Sequence, residues 1–108
     1  MTQPADTDRA VVLINVFTVA PADQQRLIDL LVQATDGRVD RAPGFLGSTL
    51  HRSFDGTKVT MYAQWRSAED YYAMRANPAS PTLLQEALTF STFEPGMYEV
   101  VRTFEPHG

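Results

Sequence analysis

The sequence predicts an α+β domain of element order β-α-β-β-α-β, the split-βαβ or ferredoxin-like arrangement, with an antiparallel sheet carrying helices on one face. Three observations predict it. Residues 10–19, AVVLINVFTV, are β-branched and apolar on both faces, as a central strand requires. Two strand-like runs, the second of them alternating over 59–65, flank an Asp55-Gly56 pair, the signature of a hairpin turn. Two stretches of helical periodicity, opened by Pro21 and by Ser67, separate the strands. A length of 108 residues fits one domain, with 1–9 as a flexible tail and 10–105 as the folded unit.

The first strand carries one polar interruption, Asn15; an unpaired amide buried there costs about 1–3 kcal/mol, so it needs a partner or a ligand. Pro21 stands where a missing N–H costs nothing, at the first position of a helix. Leu27, Ile28, Leu31 and Val32, followed by Thr35 and Val39, form its apolar stripe, and Asp23, Gln24, Gln25, Arg26 and Asp29 its wet face, up to Pro43-Gly44. Residues 45–53 and 58–65 are the hairpin strands. In the second of these Val59, Met61, Ala63 and Trp65 share one face, directed at the helices. Ser67 with Asp70 three residues on forms a capping-box start, and the helix ends before Asn77-Pro78. Ser80-Pro81 caps a second helical piece bearing Leu83, Leu84, Ala87 and Leu88. Residues 91–96 read as a loop and 97–104, MYEVVRTF, as the last strand. Val12, Ile14 and Val16 point away from Leu13 and Phe17, so both faces of the sheet want cover, and a homodimer with packed sheets follows.

Composition excludes several functions. The net charge is −4 and the nine Lys and Arg are scattered, which argues against nucleic acid and anionic membranes. The absence of cysteine removes disulfides, thiolate nucleophiles and Cys–metal sites. The polar N-terminus is not a signal peptide, and no apolar run approaches the ~20 residues of a membrane span, so a cytoplasmic protein is expected. No metal-ligand cluster, phosphate loop or nucleophile–base set stands out.

The segments INVFTVAP, PGFLGSTLHRSFDG and YAQWRSAEDY resemble the antibiotic biosynthesis monooxygenase (ABM) domain over about residues 11–104. The resemblance implies a dimeric α+β barrel. It lies closest to members that oxidise anthrone-like or dihydroquinone-like aromatic polyketides to quinones with O2, without metal or flavin. An electron-rich phenol, once deprotonated, reduces O2 itself; the protein binds it, stabilises the anion and excludes water. Carried over, Trp65 and Tyr71 match the tryptophan and helix tyrosine of those sites, and His51 a histidine common in this branch. Met61 stands where they carry an Asn donor and Gln85 where they carry an Arg. Ala63 then joins Met61 in the apolar floor. Haem-degrading members of the superfamily pair an Asn and a Trp, which Asn15 and Trp65 parallel, with a helix histidine, and neither later helix here contains one.

Each residue has a plainer reading. Trp65 is a core plug on burial tendency alone. Tyr71 and Tyr72 lie roughly 100° apart on a helix, so one packs inward and the other faces out. His51 suits a general base near neutral pH, but a lone strand histidine is more often a structural bridge to backbone or dimer partner. Arg75 and Arg102 are candidate anchors for a carboxylate or phenolate, or surface charges. A polyketide cyclase or isomerase without oxidation, and an accessory ligand-binding protein, remain alternatives on the same fold.

Overall fold

The computed structural model describes residues 10–76 and 81–107. The expected tail at 1–9, the helix stop at Asn77-Pro78 and the Ser80 cap lie outside the described residues. Strand β1 (Val11–Val19) is central. It pairs antiparallel with β3 (Lys58–Trp65), which pairs with the edge strand β2 (Phe45–Arg52). On its other side β1 meets two short strands, β4 (Ser91–Glu94) and β5 (Met97–Glu99). The order β2-β3-β1-β4 is the ferredoxin-like one. The helices are α1 (Gln24–Thr35), α2 (Ala68–Arg75) and α3 (Pro81–Ala87).

The last strand starts earlier than its sequence suggests. Ser91–Glu94, expected as loop, pairs with Val16–Val19, and Met97–Glu99 continues along Val11–Leu13. Between them Pro95 has no N–H to give a ladder; the Ile14 N–H reaches the Gly96 carbonyl at 3.0 Å and bridges the gap. Beyond Glu99 the chain has no regular pairing, so the strand expected over 97–104 stops at its third residue.

The first helix is also shorter than its apolar stripe. It ends at Thr35, where Gly37 adopts φ +74° two residues later and the Asp36 N–H closes on the Val32 carbonyl at 2.8 Å. This is the left-handed glycine exit that an L side chain resists. Val39 belongs to a separate 3-10 turn, Val39–Arg41. Gln24, expected on the wet face, is buried at the helix start. Its Nε2 donates to the Ser53 and Lys58 carbonyls at 3.3 and 3.0 Å, tying α1 to the end of the hairpin.

The hairpin turn is held by Asp55, whose Oδ1 accepts from the Thr57 N–H, the Thr57 hydroxyl and the Ser53 hydroxyl at 3.0, 2.7 and 2.8 Å. Ser67 caps α2 as expected, its Oγ accepting from the Asp70 N–H at 3.1 Å. Asp70 in turn pairs with Arg66 at 2.9 Å. Along β1 and β3 successive side chains point to opposite faces of the sheet. Leu13, Phe17, Val59, Ala63 and Trp65 are buried on the helix side, and α1 lays Leu27, Leu30 and Leu31 over them. Phe17 stacks on Phe93 of β4 at 5.0 Å.

Candidate active site

Between the inner face of the sheet and the helices lies a cavity of about 230 Å³. Its floor is strand. Leu13 pairs with Ala63 and Asn15 with Met61 across the β1–β3 ladder, and side chains directly opposite share a face. One wall is aromatic. Trp65, only 1% exposed, meets Phe45 edge-on at 5.3 Å and Tyr71 edge-on at 5.8 Å. Leu84 of α3 and Phe93 of β4 line it as well. The cavity is smaller than the ~300–1,000 Å³ of most small-molecule sites. A second recess of about 370 Å³ shares Leu13, Asn15, Tyr71 and Arg75 with it and extends the available space past Pro95 and Gly96.

Five residues expected at a site, Asn15, Met61, Ala63, Trp65 and Tyr71, line this one cavity. Of the tyrosine pair, Tyr71 packs inward at 8% exposure while Tyr72 stands 59% exposed. Asn15 stays as anomalous as its sequence position suggests: its Oδ1 is buried without a hydrogen-bond partner. Among apolar neighbours such an acceptor is a standing cost.

Two expected residues are not brought there. His51 pairs with Thr60, which is out of phase with Met61 and Trp65, so the imidazole lies on the opposite face of the sheet. It is exposed, and its Nδ1 sits 3.3 Å from the Thr60 carbonyl. Gln85 is exposed on α3 and does not reach the cavity; Leu84, one residue earlier, does.

Phe45 is a contributor that the sequence does not announce, and Arg75, a candidate anchor by sequence, also lines the cavity. Phe45 should alternate with Gly47 and Thr49 onto the outer face, but a register shift between Phe45 and Gly47 returns it to the inner one, against Trp65. Arg75, four residues after Tyr71 on α2, donates from Nη1 to the Tyr71 phenol oxygen at 2.7 Å.

The chain is thus a ferredoxin-like sheet with an apolar, aromatic-walled cavity beneath its helices. The antibiotic biosynthesis monooxygenase family model matches residues 10–82, and the chain belongs to that family. It is 42% identical to tetracenomycin-F1 monooxygenase of Streptomyces glaucescens over 92 residues, 85% of this chain and 82% of that protein. Among solved structures it resembles the ActVA-Orf6 monooxygenase of Streptomyces coelicolor, determined with nanaomycin D, with a TM-score of 0.82 at 28% identity, covering 98% of this chain and 100% of that one. It also resembles SnoaB, a cofactor-independent oxygenase from Streptomyces nogalater, with a TM-score of 0.74 at 25% identity, covering 91% and 99% of the two chains.

Proposed function

We propose that the protein is a cofactor-independent monooxygenase that uses O2 to oxidise an aromatic polyketide of the anthrone or dihydroquinone type to a quinone. The observation that carries this reading is the convergence of Asn15, Met61, Ala63, Trp65 and Tyr71 on one cavity. The 42% identity to a protein named as a monooxygenase and the likeness to a cofactor-independent oxygenase support it.

Each residue then has a task. Trp65 and Phe45 stack against the flat rings and exclude water. Met61 and Ala63 form an apolar floor, and Asn15 offers its unpartnered carbonyl to a substrate hydroxyl. Tyr71 meets a substrate oxygen at the far end. Binding the enol tautomer of an anthrone as its anion raises its power to reduce O2, and a dry cavity strengthens every electrostatic contact to that anion. In the net reaction the ring methylene becomes a carbonyl; one oxygen atom of O2 enters the product and the other leaves as water with the two methylene hydrogens. His51 and Gln85 have no part in this scheme.

The working unit in this reading is a homodimer. The outer sheet face carries Ile14, Val16 and Tyr62, all half-buried in a single chain, and the segment after β5 holds Val101 and Phe104 at 91% and 78% exposure. A second copy covers both. Light scattering on the eluting protein should give twice the chain mass; a monomer contradicts this part.

A non-oxidative cyclase or isomerase is the second reading, favoured by Met61, which offers no hydrogen-bond donor opposite Asn15. The two separate in an oxygen electrode. Metal-free protein with dithranol or emodin anthrone should consume O2 well above the spontaneous rate; consumption equal to that rate sinks the oxidative reading for this substrate class.

A further inference from the structure

We propose that Tyr71 and Arg75 act together as the anion-binding element of the cavity: Arg75 is a positioning residue that turns the Tyr71 phenol into a donor for the phenolate oxygen of a hydroxylated aromatic ligand. The inference rests on the monooxygenase reading for its role in turnover, but the binding it describes can be measured without turnover.

The geometry is specific. Arg75 Nη1 donates to Tyr71 Oη at 2.7 Å, across one turn of α2. A guanidinium carries only donors, so this bond occupies a lone pair of the phenol and leaves the phenol's own proton to be given elsewhere. The same bond places a positive charge behind that oxygen, which makes the O–H a stronger donor. Both residues line the cavity and the adjoining recess, at the junction a ligand longer than the inner cavity must cross.

The charge is not spent elsewhere. Asp70, the nearest acid in sequence on the same helix, is engaged by Arg66 and Ser67 at 2.9 and 3.0 Å. Among the described residues Arg75 has no carboxylate partner. Of the residues lining the cavity and recess, only Tyr71, Tyr72 and Arg75, all on α2, are titratable or charged. Strands β1 to β5 and helices α1 and α3 contribute none. Among the lining residues, a ligand anion there meets one positive charge and no carboxylate.

This assignment resolves a mismatch. The resemblance expects donors at positions 61 and 85. Here position 61 is a methionine on the floor and Gln85 is exposed outside the cavity. Tyr71, which the resemblance already expects at the site, then carries the donor role from the end of α2 with Arg75 behind it. The ligand's anionic oxygen is therefore met near the recess, while Asn15, an acceptor on the floor, takes a hydroxyl.

The test is a spectroscopic titration of 2-hydroxyanthraquinone, a non-reducing phenol whose ionisation is visible by absorbance. Bound to the wild-type protein, its phenol should ionise about 1–3 pH units below the free compound, the shift expected of an opposite charge at close range. Arg75→Met should lose most of that shift, Arg75→Lys should keep part of it, and Tyr71→Phe should lose the part carried by the phenol. Arg75 is exposed, so its replacement should leave the core intact, and circular dichroism checks this. A probe that does not bind, that binds unshifted, or that keeps its full shift in Arg75→Met overturns the proposal. A shift that depends on Arg75 in a protein that consumes no O2 leaves the anion site standing and removes the oxidation alone.

Discussion

Replacing Asn15 by leucine should stabilise the protein while impairing it. Asn15 Oδ1 is buried without a partner, on the central strand, opposite Met61. Leaving a buried acceptor unsatisfied costs about 1–3 kcal/mol, whereas an apolar group of similar shape carries no such penalty. Leucine keeps the branched outline of asparagine and adds no polar atom. For a domain of this size each kcal/mol is worth roughly 4–8 °C, so Asn15→Leu should melt at least ~4 °C above the wild type. Melting is followed by circular dichroism at one fixed protein concentration, because an oligomer's midpoint depends on it. Asn15→Ala serves as the control: it removes the same amide but leaves a void, and should gain less. In the oxygen electrode Asn15→Leu should turn over anthrone more slowly than the wild type, since the acceptor for the substrate hydroxyl has gone. An unchanged or lower midpoint refutes the argument that this amide is held at a cost, and unchanged turnover refutes the reason for holding it.

Further outcomes follow from the same geometry. Trp65→Ala empties a position that is 1% exposed and should cost about 3–5 kcal/mol in urea unfolding, whereas Trp65→Phe should keep most of the stability and lose activity; equal activity in the phenylalanine variant counts against the pocket wall. Met61→Asn restores a donor to the floor opposite Asn15 and should raise oxidation of anthrone, with no change counting against the placement of the substrate. Gly44→Ala forces a side chain onto φ +87° and into the Asp70 side chain, disturbing the cap of α2; a loss of about 1–3 kcal/mol in urea midpoint is expected, and a neutral substitution contradicts it. Hydrogen bonds from the Thr57 backbone, the Thr57 hydroxyl and the Ser53 hydroxyl, in that order, hold the Asp55 carboxyl down at about 2, below its ordinary 3.8. A depressed folded value means its stabilisation is present above pH ~4 and lost as pH falls toward 2, so Asp55→Asn should flatten that limb of the acid-unfolding curve.

How much of this was legible in the sequence depended on whether the signal was local. The strand–helix order, the Ser67 cap and the inward face of Val59, Met61, Ala63 and Trp65 are all carried by short-range periodicity, and the structure has them. The end of the first helix at Thr35 was also written locally, in Gly37, but the apolar spacing continuing to Val39 masked it. His51 was misplaced for want of a register. Counting pairs outward from Asp55-Gly56 sets His51 opposite Thr60, hence on the face away from Trp65, so the information was present in the turn. Phe45 could not be placed that way, because the irregularity at Phe45/Gly47 reverses its face and nothing in FLG announces it. The break at Pro95-Gly96 made Ser91–Glu94 look like loop, although four residues on one side of it and three on the other pair with the same strand. The Tyr71–Arg75 bond is an i,i+4 contact readable on any helix, but its importance appears only once both side chains are seen to line the cavity.

The fate of the oxygen atoms decides whether this protein is an oxygenase. Chelator-treated protein is incubated with emodin anthrone under 18O2 in ordinary water, and the quinone is analysed by mass spectrometry immediately after quenching. The quinone should form faster than in the protein-free control and carry one heavy oxygen atom from O2. A quinone that forms no faster than in that control, or whose new oxygen comes from water, contradicts the monooxygenase reading.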